Sequence, residues 1–572
     1  MLLIAKEIKN TAPNIPIIFG GPQASILPDK TLKTFPFVDF ILIGEADLSF
    51  PLFLAEMEKT YPDFTSVPGL VYRNERGDIK HNRFEQPIQN LDNLPFPAYH
   101  LFPKQESIKL DVGRGCPFMC TYCSTNNFFS KTYRVKSVDR IIQEMITIYE
   151  ELNIRHFGFA HDMFTLNKKI IFDLCYKLID VKNKKGIEFI WTCSARIDCV
   201  TDEMLIQMQK AGCQSIFFGI ETGSEKIQKE IQKNLDVSKA FKIADLCRTI
   251  GLNMYASFIL GFPEEKKTDI EKTLQTIMKL VTKGVFVQIS ELTLLPGTQI
   301  FNKHRNKLKL DGKFSNFSYA ICGQQELKLI HQYPQIFSSF YYLPVSTLSR
   351  NEIVFLNQLI NCISLFQNTL FLLSENIEQN LKSVRLLQLL KLKYINVTSE
   401  NMRKTPIVSH WISIISAYIR NNQLNINTPH IHDILNYEAY KALLMTLYSG
   451  WRLVHPKSKK SSMQSSFFIK PTPVWKVLTT SYKLERIIPS ENKWNTKKSI
   501  CRRGTYHYLI VAISAIKYKR IKINTKEVYL LENLSELTFK EHHIKIKSVL
   551  NKKDTLLWIK KLRRFGVLEI SE

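Results

Sequence analysis

Three cysteines stand in the pattern C-x3-C-x2-C at Cys116, Cys120 and Cys123, within Gly113-Arg-Gly-Cys-Pro-Phe-Met-Cys-Thr-Tyr-Cys123. Thiolates at this spacing can converge on a metal centre, and two chemistries compete for them. Structural zinc takes four ligands, usually as two paired knuckles. No fourth Cys or His forms a second knuckle nearby. Iron–sulfur clusters are held by thiolates. A cubane of four irons with three protein ligands keeps one iron open to chelate another molecule. Gly115 and Pro117 suit the tight loop that three converging sulfurs need. The spacing therefore favours a 4Fe-4S cluster over zinc, with Cys116, Cys120 and Cys123 as the metal ligands and the centre of catalysis. The other eight cysteines sit singly, from Cys175 to Cys501, and read as buried small hydrophobes.

Such a loop needs a rigid support, and residues 106–315 supply a regular α/β rhythm. Lys109 to Val112, His156 to Ala160, Glu188 to Ser194, Ser215 to Ile220, Met254 to Leu260 and Val285 to Thr293 read as strands, with helices between them. Six βα units in a row predict parallel strands joined by right-handed crossovers, a partial barrel. In barrels of this kind the chemistry sits on loops at the carboxyl ends of the strands. The cysteine loop directly follows the first strand. His161-Asp162 ends the second, Arg196 the third and Gly219-Ile-Glu221-Thr-Gly223-Ser224 the fourth. Ile259-Leu-Gly261-Phe-Pro-Glu264 ends the fifth, and Pro296-Gly297-Thr298 follows the sixth.

The cysteine pattern, with an aromatic Tyr122 before the third Cys, resembles the radical S-adenosylmethionine (SAM) superfamily. The resemblance implies a 4Fe-4S cluster and SAM as cofactors. It also implies reductive cleavage of SAM to a 5′-deoxyadenosyl radical, and an electron donor such as flavodoxin or ferredoxin. Tyr122, Arg196, Glu221, Gly261 and Glu264 are then expected at the cofactor: Arg196 on the SAM carboxylate, and Gly261 and Glu264 on the adenine side. Residues 1–60 add Ile17-Ile-Phe-Gly20-Gly21-Pro and Phe40-Ile-Leu-Ile-Gly44-Glu45-Ala46-Asp47. These resemble the second half of a Rossmann-like cobalamin-binding domain, with Gly20, Gly21 and Gly44 at its strand ends, so the assembly resembles cobalamin-dependent (class B) radical SAM enzymes. The first half of such a domain is not in this sequence. The resemblance implies C-methylation of a small molecule or a peptide. An anaerobic oxidative cyclase of porphyrin type, and an inactive or peptide-binding relic, are the alternatives.

The remaining chain organises as a Pro-rich linker over 61–105 with a small hairpin at Arg76-Gly77-Asp78, a helical region over 316–465, and a basic segment with a winged-helix-like module over 466–572. The 572 residues are 45% apolar and carry a formal charge of +26, from 78 Lys and Arg against 52 Asp and Glu. Lysines are spread along the whole chain, which reads as a compositional bias and not as a nucleic-acid surface. No stretch reaches the roughly 20 apolar residues of a membrane span, and there is no signal peptide. The expected location is cytoplasmic.

Overall fold

The computed structural model describes residues 1–311 except 85, 86, 102 and 104, then residues 323–366, and beyond these a few helical positions and six strands. It contains two compact units, Met1–Leu280 with Val285–Ile353, and Val281–Gly284 with Val354–Glu572.

The first unit opens with a small mixed sheet. β1 (Ile18–Phe19) and β2 (Phe40–Leu42) are parallel, as alternation of short apolar runs and helices predicts. The helices are α1 (Leu2–Thr11), α2 (Gly21–Ile26), α3 (Pro28–Thr34) and α4 (Ser49–Met57). The hairpin expected in the linker is present as β3 (Leu70–Arg73) and β4 (Ile79–His81). It pairs antiparallel with β2 and completes a sheet of order β1-β2-β3-β4. Val71 and Leu70 are fully buried against Ile41, Phe53 and Val38. The expected boundary at residue 60 thus falls inside the sheet, because β3 carries inward apolar residues that the Pro-rich composition around it obscures.

The larger sheet follows. β5 (Ile108–Leu110) leads into β6 (Gly113–Gly115), which pairs separately with β7 (Tyr133–Val135). Then come β8 (His156–Phe159), β9 (Ile190–Ala195), β10 (Cys213–Glu221), β11 (Asn253–Leu260) and β12 (Phe286–Glu291). Their order, β12-β11-β10-β9-β8-β5, is sequential and every pairing is parallel. This is the partial barrel that the βα rhythm predicts.

Helices separate the strands: α5 (Thr125–Phe128), α6 (Val138–Leu152), α7 (Lys168–Lys185), α8 (Asp202–Lys210), α9 (Glu225–Glu230), α10 (Ser238–Ile250) and α11 (Lys267–Thr282). Their ends follow local chemistry. The side chains of Ser137, Asn167, Thr201 and Ser224 accept hydrogen bonds from the first-turn amides of α6, α7, α8 and α9. Asn153, Gly186 and Gly251 end α6, α7 and α10 in left-handed conformation.

Strand alternation decides what faces where. Trp191, Cys193, Ile216, Phe218, Phe258 and Leu260 are buried under the helices. Each fully buried Phe contributes about 1.5–3 kcal/mol. The alternate residues, including Thr192, Ser194, Phe217 and Ser257, face the barrel lumen and are half-buried. Cys175, Cys193, Cys213 and Cys247 are buried free thiols, as expected, whereas Cys199 is half-buried.

After β12 come α12 (Gln299–His304), α13 (Gln324–Gln332) and α14 (Arg350–Ile363). Leu329, Ile336 and Phe337 pack into the core of the front sheet with Leu32, Phe35 and Val38. In the second unit the described residues are mostly strands. β13 (Phe468–Pro471), β14 (Trp475–Tyr482), β15 (Arg503–Ser514), β16 (Lys517–Ile523), β17 (Leu537–Thr538) and β18 (Leu568–Ser571) form two antiparallel sheets, β17-β13-β18 and β14-β15-β16. The basic segment therefore holds strands at Phe468–Pro471 and Trp475–Tyr482. Residues 524–536 and 539–567, which fall in the expected winged-helix-like module, and most of 367–465 in the expected helical region, lie outside the described residues. Among those residues no helix is long and apolar enough to cross a membrane.

Candidate active site at the barrel strand ends

The cysteine loop is pinned along its length. Gly115 has φ +83, and a Cβ there would collide with the carbonyl of Thr132 across the β6–β7 ribbon, so only glycine fits. The Nε2–H of His161 donates to the Gly115 carbonyl at 3.0 Å. The Thr121 amide donates to the Ile231 carbonyl at 3.0 Å, and the Thr121 carbonyl accepts from the Ile300 amide at 3.1 Å. The loop is thus tied to β8, to the end of α9 and to the start of α12.

Cys116, Cys120 and Cys123 are free and half-buried. Burial pushes the Cys116 thiol up to about 11. Burial also raises Cys120, against the opposing pull of the Lys233 and Arg196 cations. Metal ligation must displace these protons. Among the described residues no three Cys, His, Asp or Glu side chains are grouped to grip a single ion. A cubane does not require that, because each thiolate binds a different iron. Three half-exposed thiols on one pinned loop, with cations behind them, fit an anionic thiolate cluster.

Behind the loop is a buried polar network. Glu221 ends β10 in left-handed conformation, φ +68, where the pairing with β11 shifts register. Its Oε1 accepts from Lys233 Nζ at 2.7 Å and from the Tyr122 hydroxyl at 3.1 Å, and its Oε2 accepts from Ser257 Oγ at 3.4 Å. Lys233 Nζ also donates to the Tyr122 oxygen at 3.2 Å. Burial first, then the Glu221 charge, raises the Tyr122 hydroxyl well above its ordinary value, so it stays a donor. The Tyr122 ring meets Phe262 edge-on at 6.0 Å.

Arg196 stacks on Phe118 of the cysteine loop, 3.8 Å from the ring centre. Its fork pairs with Asp198 at 2.8 and 3.0 Å, one nitrogen donates to the Lys233 carbonyl at 2.8 Å, and another lies 4.0 Å from Cys120 Sγ. Arg196 therefore stands beside Cys120, with its Nε–Nη2 edge paired to Asp198 and its Nη1 toward the sulfur.

At the end of β11, Gly261 has φ +94. Its amide and that of Phe262 donate to Glu265 Oε2 at 2.8 and 3.0 Å. Burial pushes the Glu265 carboxyl up to about 7, the two amides opposing it, and its Oε1 has no hydrogen-bond partner. The spacing singles out Glu264, whose side chain pairs with Lys303 at 3.0 Å. Glu265 and Lys233 are the two site residues that sequence reasoning misses. Glu265 hides behind an identical neighbour. Lys233 sits in a charged stretch, and only the left-handed Gln232 and Asn234 on either side turn it inward.

Below these groups the lumen holds a cavity of about 580 Å³. It is lined by Lys109, His161, Thr192, Ser194, Phe217 and Tyr255, among others. Its size lies within the range of small-molecule sites, about 300–1,000 Å³.

The front sheet meets the same loop. Arg114 bonds Glu45 and Asp47 at 2.6 Å each and Asp111 at 2.9 Å, and Arg134 bonds Glu45 as well. Gly20 and Gly44 end the adjacent parallel strands β1 and β2. A Cβ on Gly44 would lie 2.5 Å from Cε2 of Phe84. The Phe84 ring therefore packs closely on this strand end, where the resemblance to cobalamin-dependent enzymes places the corrin.

Comparison with known proteins agrees with this geometry. Residues 110–277 match the radical SAM superfamily. An uncharacterised methyltransferase of Pyrococcus horikoshii is 31% identical over 305 residues, 52% of this chain and 65% of that protein. An anaerobic magnesium-protoporphyrin IX monomethyl ester cyclase of Rubrivivax gelatinosus is 25% identical, over 48% of this chain and 50% of its own length. This chain thus spans between half and two thirds of these two relatives. Among solved structures, the radical SAM methyltransferase TsrM of Kitasatospora setae, with cobalamin and a 4Fe-4S cluster bound, aligns with a TM-score of 0.50 at 14% identity. The alignment covers 67% of this chain and 84% of that one, and speaks to fold alone. The cysteine loop and most of the parallel partial barrel lie within residues 110–277, the segment that matches the radical SAM superfamily.

Proposed function

We propose that the protein is a radical SAM enzyme that methylates carbon in a small-molecule substrate held in the barrel lumen. The observation that carries this reading is the meeting of Cys120, Tyr122, Arg196 and Glu221, from the loop and two later strand ends, within one hydrogen-bonded cluster. Cys116, Cys120 and Cys123 would hold a 4Fe-4S cluster, which together with SAM would supply a carbon radical after one-electron reduction. The chain's own residues do the rest. His161 and Thr121 fix the loop through backbone bonds. Glu265 holds the amides of Gly261 and Phe262 in place beside Tyr122, and keeps the fifth strand end at one geometry. Thr192, Ser194 and Ser215 offer hydroxyls to a substrate, and Phe217 and Tyr255 offer apolar surface.

Methyl transfer, in preference to cyclisation, is supported by the methyltransferase name of the 31% identical relative. Cobalamin at the front sheet would carry the methyl group from SAM to the substrate carbon; the structurally similar methyltransferase TsrM has cobalamin bound.

The test is anaerobic reconstitution with iron and sulfide, followed by dithionite and SAM. 5′-Deoxyadenosine is the expected product, with S-adenosylhomocysteine appearing when methylcobalamin is added. Absence of 5′-deoxyadenosine removes the radical reading. Its formation without S-adenosylhomocysteine favours the cyclase alternative, which the 25% identical relative represents.

A further inference from the structure

Lys233 is a buried cation that the proposed chemistry does not yet use. Its side chain is 7% exposed and its Glu221 partner 9%. Burying such a pair is expensive unless geometry is good and the remaining polar atoms are satisfied. The chain spends considerable local structure on it. Gln232 and Asn234, both non-glycine, take φ +56 on either side. The amides of Lys233 and Asn234 both donate to the Gln228 carbonyl at 3.0 Å. Gln228 in turn donates to the Ile220 and Thr222 carbonyls at 2.7 and 2.9 Å, which locks this turn to the end of β10. A Cβ on Gly219 would lie 2.8 Å from Lys233 Nζ, so the strand itself is pared back to admit the ammonium.

Lys233 and Arg196 each belong to an ion pair, with Glu221 and Asp198. Lys233 Nζ reaches the cysteine loop at the Tyr122 oxygen, where Glu221 Oε1 is also bonded, and Arg196 reaches it directly, 4.0 Å from Cys120 Sγ.

We infer that Lys233 tunes the redox site: it makes acceptance of an electron at the group bound by Cys120 easier, by opposing the added negative charge from within a low-dielectric wall. The electron comes from an external one-electron donor, and no bond forms or breaks in this step. Local charge and hydrogen bonding are among the levers that set iron–sulfur potentials, and a charge this buried is screened little by salt. The inference rests on the radical SAM reading above.

The test is an EPR-monitored redox titration of the anaerobically reconstituted full chain without SAM, for wild type, Lys233→Met, Lys233→Arg and Glu221→Gln. Lys233→Met is expected to shift the midpoint to more negative potential, Glu221→Gln to more positive, and Lys233→Arg to stay near wild type. A purely structural role would lower thermal stability without opposite shifts. Equal midpoints, or shifts of the same sign in Lys233→Met and Glu221→Gln, overturn the inference. If Lys233→Met holds no cluster, an unshifted Glu221→Gln alone overturns it. Failure of wild type itself to assemble a cluster defeats the radical SAM reading, and is distinguishable because it precedes any titration.

Discussion

The front sheet and the barrel both end parallel strands in glycine, followed by acids, yet the two kinds of strand end do different work. In the barrel, Gly219 leaves room for Glu221 and Lys233, and Gly261 turns its amide to Glu265. Those groups surround the cysteine loop. In the front sheet, Gly44 leaves room for Phe84, and Glu45 and Asp47 turn to Arg114 and Arg134. The barrel ends build a site, whereas the front ends build a clamp on the loop that carries it. A glycine at a strand end signals that something approaches closely; it does not say whether that is a ligand or the chain's own side chain.

The largest effect expected from breaking this contrast is at the barrel. Cys120→Ala removes a cluster ligand, so iron content after reconstitution should fall to background and 5′-deoxyadenosine should be undetectable. Retention of iron at the wild-type level would mean that the cysteine loop is not the metal site.

Next is the clamp. Arg114→Ala leaves Asp47, Asp111 and Glu45 short of their shared cation, and because this network is partly buried the loss should exceed the roughly 0–1 kcal/mol of an exposed pair. Denaturant unfolding at neutral pH should show this, while Lys168→Ala, which removes an exposed pair with Glu203 at 3.4 Å, should change stability by no more than about 1 kcal/mol. Equal, small effects would reduce the clamp to surface decoration. Burial pushes Asp47 up, but the Arg114 hydrogen bonds and charge outweigh it and hold the carboxyl below its usual value. The contribution of Asp47 is then full above about pH 4 and fades as pH falls through the lowered value.

Glu265 should behave oppositely. Its folded value, about 7, lies above the ordinary 4.5. Its contribution is therefore fully present below about pH 4.5 and lost as pH rises toward 7. Wild-type stability should decline over that interval, and Glu265→Gln should flatten the decline. An unchanged pH profile would show that Glu265 is not the buried titrating group.

The smallest expected effect is at Phe84, which is 38% exposed. Phe84→Ala clears the space over Gly44, and equilibrium dialysis with hydroxocobalamin should show severalfold tighter binding at little loss of stability. No gain would mean that Phe84 does not limit how tightly a corrin binds at this strand end.

Legibility in the sequence followed the strength of local signals. The six barrel strands were readable because each is a short apolar run followed by turn residues and then a helical period, and their sequential order follows from parallel crossovers. The cysteine loop was readable because thiolate spacing is chemically specific. What escaped were long-range contacts between ordinary residues. Lys233 faces Glu221 and Tyr122 only after β10 and α9 have folded. Phe84 reaches Gly44 across 40 residues, and Arg114 reads as a loop residue until Glu45 and Asp47 are beside it. β14 was masked by Lys476, by its Thr479-Thr480-Ser481 run and by the basic segment around it, since these give a weak apolar signal.

The account rests on Cys116, Cys120 and Cys123 holding a cluster with one iron left open. The direct measurement is metal analysis with EPR of the reduced, reconstituted protein before and after SAM is added. About four irons per chain and a spectrum altered by SAM are predicted. Zinc in place of iron, or a spectrum indifferent to SAM, would contradict the account.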